Sequence, residues 1–195
     1  RFFSPLMIAA PPSISIESLI TSLNFSVAWY FMMELTTAGF DKVTQPIPFN
    51  VVLRGGIQEG RVIGLGQKPF FVVSGYADKR LSFKSSIQLG VDAIFAKFLE
   101  TEIAYSAAAF PQNGVTGDED YKRVGVFVGY ELHVNKLSLI GQVGYYAYYP
   151  YKFEARVYLR PGLKYYISEK VFAVVTLKSH WASAENVAFG VGFRI

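Results

Sequence analysis

The chain ends in Asn186–Val187–Ala188–Phe189–Gly190–Val191–Gly192–Phe193–Arg194–Ile195. Val187, Phe189, Val191, Phe193 and Ile195 alternate strictly with small or polar residues. This is period-2 patterning with every bulky group on one face of a strand. The same pattern recurs upstream, with charged residues on the opposite face. Bulky apolar groups outside and charges inside predict a closed antiparallel barrel embedded in lipid, with a bacterial outer membrane as its home. These five residues are expected to face lipid.

Leu81, Phe83, Ile87, Leu89, Val91, Ala93 and Phe95 oppose Ser82, Lys84, Ser86, Gln88, Gly90 and Asp92. Val124, Val126, Val128, Tyr130 and Leu132 oppose Arg123, Gly125, Gly129 and Glu131. Val157, Leu159, Leu163 and Tyr165 oppose Arg156, Tyr158, Arg160 and Lys164, with Pro161 expected to mark a bulge. Leu23 to Leu35 and Phe98 to Phe110 read as further strands, the second opposing Leu99 and Ile103 to Glu100 and Glu102. Around Arg54–Gly55–Gly56 the alternation breaks, and Val62 to Leu65 and Phe70 to Tyr76 are additional candidates. The reading favours an all-β transmembrane barrel of ten strands, with eight as the alternative. The whole chain, 1–195, forms one barrel domain, with 1–20 as an N-terminal extension. Phe2 to Ala10 has some signal-peptide core character without a following cleavage pattern. Turns near 96–97, 133–136 and 168–170 are expected on the periplasmic side. Connections near 111–120, 150–152 and 182–185 are expected on the extracellular side.

Composition agrees. Charged residues are 17% of the 195, below the roughly 25% of soluble domains, and mean hydropathy is +0.26. Thirteen Tyr and seventeen Phe suit interfacial aromatic girdles, with Tyr145, Tyr146, Tyr148, Tyr149 and Tyr151 as one such group. No apolar run reaches the roughly 18 residues of a transmembrane helix. The net charge of +4 is dispersed, which argues against nucleic acid and leaves outer-membrane lipids, including lipopolysaccharide, as the expected contacts. There is no Cys and the two His are far apart, so no metal-ligand spacing is seen and no metal or cofactor is expected. A soluble lipocalin-like barrel would need the bulky faces to point inward.

Charges inside a narrow barrel must pair. Glu131, Glu154, Arg156, Arg160 and Lys164 are the expected lumen ion pairs, with Glu131 and Glu154 as partners for the two arginines.

Four stretches carry a family resemblance: Arg123 to Leu132, Gly144 to Tyr151, Leu177–Lys178–Ser179–His180–Trp181–Ala182–Ser183–Ala184–Glu185, and Phe189 to Ile195. They resemble outer-membrane acyloxyacyl hydrolases related to lipid A 3-O-deacylase. The resemblance implies ester hydrolysis at lipid A by a Ser–His–acid set on the outer barrel wall. Its motif is His–x–Ser–Asn, but here Ala182 follows His180 at the Ser position. His180, Ser183 and Glu185 are the catalytic candidates. The missing nucleophile favours a weak or inactive barrel that serves as a structural or accessory subunit among other outer-membrane proteins. Lipid A acyl-ester hydrolysis is the alternative.

Overall fold

The computed structural model describes residues 46–60, 66–152, 154–181 and 183–195. All belong to the second of two units into which the chain divides at Thr36–Thr37. The expected strands Leu23–Leu35 and Val62–Leu65 and the 1–20 extension fall outside the described residues. Ala182 falls outside them as well.

Eight strands form among the described residues: β1 (Phe49–Glu59), β2 (Gln67–Arg80), β3 (Ser85–Ala96), β4 (Lys122–Val134), β5 (Leu137–Tyr148), β6 (Val157–Tyr166), β7 (Val171–His180) and β8 (Ser183–Arg194). Each pairs antiparallel with the next, and β8 returns to β1 to close the barrel. The closing seam runs from Asn50 opposite Arg194 to Gly55 opposite Phe189. Ten to fourteen residues per strand match the length a tilted strand needs to cross a bilayer. Closure leaves no unpaired edge, so every strand carries its ladder into an apolar medium without orphaned backbone groups.

The alternation has a consistent sense. Phe189 and Phe193 are 64% and 55% exposed, and Leu53, Leu89 and Val128 share that outer wall. Asn50, Arg54, Gln88, Asp92, Glu131 and Lys164 are buried in the lumen. Only a lipid surround lowers the free energy of that inversion. Eight strands leave an interior just wide enough for side chains to fill. Glycines make room for the largest of these. A Cβ on Gly144 would overlap the ring of Tyr158, and one on Gly192 the ring of Phe172.

Several expectations need correction. The barrel closes with eight strands, the stated alternative to ten, and Phe98–Ala109, expected as one of the strands, is an α-helix, α1. Leu99 and Ile103 are four apart, so they fit a helical stripe as well as an alternating one. Leu, Glu and Ala dominate the segment and favour the helix. Phe98, Leu99, Glu102 and Ile103 are buried, whereas Glu100 is exposed, so the two glutamates share no face. Removing that strand also moves the 96–97 connection. It leads into the long 97–121 excursion, at the same barrel end as connections 149–156 and 181–182. The turns at 81–84, 135–136 and 167–170 occupy the other end.

Pro161 marks no bulge. The β6–β7 ladder skips Arg160 and Pro161 but resumes in the same register. The register shifts instead between Val124 and Gly125 on β4, and between Lys178 and Ser179 on β7. The tyrosine group also divides. Tyr145 and Tyr148 face outward, while Tyr146 and Tyr149 are buried and stack at 4.9 Å.

Candidate functional site

The lumen holds a polar network that can be followed from the short-turn end to Asp92, Ser74 and Arg54. At the short-turn end Arg194 reaches Asp78 at 2.9 Å and donates to the Tyr166 hydroxyl. Tyr166 donates in turn to Glu131, which also takes the Lys164 ammonium. Gln88 donates to Glu131 at 2.7 Å, Gln142 donates to Gln88, and Arg160 donates to Gln142. Arg160 also pairs with Asp92 at 2.8 Å. Asp92 accepts from Ser74 and Tyr158, and Arg54 donates to Ser74. Nearly all these groups are buried, so each cation requires its anion.

This differs from the expected pairing. Lys164 holds Glu131, but the carboxylate on Arg160 is Asp92 rather than Glu131 or Glu154. Arg156 lies outside the lumen altogether. It precedes β6 instead of belonging to it, is exposed, and donates to the outward Tyr145 hydroxyl at 3.0 Å. Arg54, set aside as a break in the pattern, sits on an uninterrupted β1. Its place two residues from Val52 and four from Asn50 was the available signal.

His133, at the short-turn end, lies between two serine hydroxyls, Ser86 at 2.8 Å and Ser138 at 3.0 Å. At the long-loop end a second cluster forms around His180. Lys178 and His180 alternate inward along β7. Glu185 joins them because β8 carries one extra residue at the register shift, and a bulge of this kind re-aims a side chain. Glu154 folds in from the 149–156 connection, whose backbone is bonded at residue 154 by the Tyr149 hydroxyl. His180 Nε2 lies 3.0 Å from Glu185 Oε2 and 2.8 Å from Glu154 Oε2. Lys178 Nζ is 2.6 Å from Glu185 Oε2, and Arg123 Nη1 is 3.6 Å from Glu154 Oε2. The Arg123 guanidinium lies over the rings of Tyr146 and Tyr149.

Of the catalytic candidates, His180 and Glu185 are brought into contact and Ser183 is not. Ser183 pairs with His180 along the backbone but is exposed. His180 Nδ1 faces the Val157 carbonyl at 3.0 Å. Both ring nitrogens therefore face oxygens that only accept, so in this arrangement each carries a proton. A base needs a free lone pair directed at a nucleophile. His180 has none available as placed.

A family profile described as acyloxyacyl hydrolase, C-terminal domain, matches residues 47–195. The chain belongs to this acyloxyacyl hydrolase family. The match covers the whole described barrel, including the His180–Glu185 hairpin. Together with the closed barrel and its apolar outer wall, it makes the chain an integral outer-membrane protein in contact with lipid. Among curated proteins none matches. Solved structures similar to this acyloxyacyl hydrolase domain include a de novo designed transmembrane β-barrel, at 16% identity and TM-score 0.45, covering 78% of this chain and 98% of that one. The attachment invasion locus protein Ail of Yersinia pestis is similar at 12% identity and TM-score 0.40, covering 76% and 97%. Neisserial surface protein A is similar at 12% identity and TM-score 0.39, covering 75% and 96%.

Proposed function

We propose that this acyloxyacyl hydrolase-family barrel is catalytically weak or inactive towards lipid A and acts as a structural or accessory component of an outer-membrane assembly. The observation that carries the reading is the engagement of His180. Its ring is directed into the lumen, with both nitrogens opposite acceptor oxygens. An ester in the surrounding lipid meets the outer wall, where Val187, Phe189, Val191, Phe193 and Ile195 are exposed and offer only apolar groups. In this reading those five residues contact lipid, including lipopolysaccharide, and the long-loop end faces outward from the cell. The filled lumen favours a plug over a channel, which leaves the wall and loops as the surfaces available to other outer-membrane proteins.

The test has two arms. Purified barrel incubated with lipid A is expected to release no fatty acid above a heat-inactivated control. Cross-linking in cells is expected to capture the chain in a larger membrane complex. Fatty-acid release that disappears in His180→Ala would instead establish lipid A acyl-ester hydrolysis.

A further inference from the structure

Glu154, His180 and Glu185 are more than an ion-pair cluster. One nitrogen and two carboxylate oxygens, drawn from a loop and two strands, all lie within 4.8 Å of one another. Nε2 can carry one proton, and that proton is directed at Glu185 Oε2. Glu154 Oε2 lies 2.8 Å from the same nitrogen and 3.6 Å from Arg123 Nη1, ion-pair contacts without a well-aligned hydrogen bond. Its side chain is only 10% exposed. A buried carboxylate oxygen without an aligned hydrogen bond is costly, and a single N–H cannot serve two carboxylates. At the far side of the ring, Nδ1 donates to the Val157 carbonyl. Metal-ligating imidazoles are oriented in this way, with one N–H tied to a carbonyl and the other nitrogen turned to the ion.

We propose that Glu154, His180 and Glu185 form a zinc site at the long-loop end of the lumen. Zinc in place of the Nε2 proton takes one imidazole nitrogen and two carboxylate oxygens, a donor set within its preferences. It gives Glu154 Oε2 a direct bond that a proton shared with Glu185 cannot. The ligating carboxylates have outer partners in place. Gln58 Nε2 donates to Glu185 Oε1 at 3.2 Å, and Lys178 and Arg123 flank the two acids. Those cations also oppose the ion, so removing the Lys178 charge should tighten binding. The bound ion would tie the 149–156 connection to the β7–β8 hairpin.

The experiment titrates the folded full chain in detergent micelles with zinc(II), and separately with calcium(II), by calorimetry at neutral pH. The expected result is one zinc per chain with release of protons, and much weaker calcium binding, because calcium prefers an all-oxygen site. His180→Gln and Glu154→Gln remove direct ligands and should each weaken zinc by more than the roughly 10- to 100-fold typical of losing an outer-shell partner, and Lys178→Met should strengthen it. Zinc should also slow tryptic cleavage at exposed Lys152. Cobalt(II) absorption in the unaltered chain reads the ligand set directly if either variant fails to fold. Absent zinc binding, several loosely held ions per chain, affinity unchanged in both variants, or a six-coordinate aquo-like cobalt spectrum would overturn the proposal.

Discussion

Glu185 Oε2 lies 3.0 Å from His180 Nε2, although counting back by twos from Phe189 and Val187 would place Glu185 on the outer wall. The one-residue register shift beside Lys178 and Ser179 turns it inward. The acid of the candidate catalytic set is thereby committed to the lumen, where it also holds Lys178. The consequence is chemical as well as geometric. A histidine held between carboxylates and a carbonyl, facing a filled barrel interior, is poorly placed to activate a nucleophile towards a lipid ester.

Phe189→Arg should destabilise the barrel in bilayers by roughly 2–4 kcal/mol, the cost of a lipid-facing arginine near the midplane. Gly190→Arg should act by a different route, because a side chain there meets the backbone of Leu53 and Arg54. Equilibrium unfolding in lipid vesicles of two thicknesses separates the two. The Phe189 penalty should change with thickness, and the Gly190 penalty should not.

Breaking the Arg160–Asp92 pair should cost about 3–5 kcal/mol in either single variant, Arg160→Met or Asp92→Leu, because the surviving charge is buried without its partner. The double variant should cost less than the sum of the singles. Arg156→Ala should change stability by under about 0.5 kcal/mol, since that residue is exposed. Denaturant titration of all four variants checks both statements.

Gly144→Ala should destabilise by about 1–3 kcal/mol through overpacking, because the added methyl overlaps the Tyr158 ring. Combining it with Tyr158→Leu should recover part of the loss. Equal losses in the single and double variants would show that Tyr158 does not occupy that space.

The barrel was legible wherever one strand face is uniformly apolar, as from Val187 to Ile195, because that pattern depends only on nearest neighbours along the chain. Phe98–Ala109 was not, because Leu99 and Ile103 satisfy both a helical and an alternating stripe. The resemblance brought His180 and Glu185 into view, but not their surroundings. Glu154 reaches His180 from a loop 26 positions away, and the inward turn of Glu185 depends on a single-residue slip that alternation cannot register. Arg160 drew the wrong partner for a related reason. Parity places a charge in the lumen, but its height along the barrel decides which acid it meets.

The central claim, that His180 is held in the lumen away from ester chemistry, is tested most directly by mass spectrometry of lipid A. The lipid would come from cells expressing the unaltered chain, His180→Ala or Ser183→Ala, compared with cells lacking the protein. The account predicts the same acylation pattern in all four. Loss of one acyl chain with the unaltered protein, restored by either substitution, would contradict it and make the barrel a lipid A deacylase.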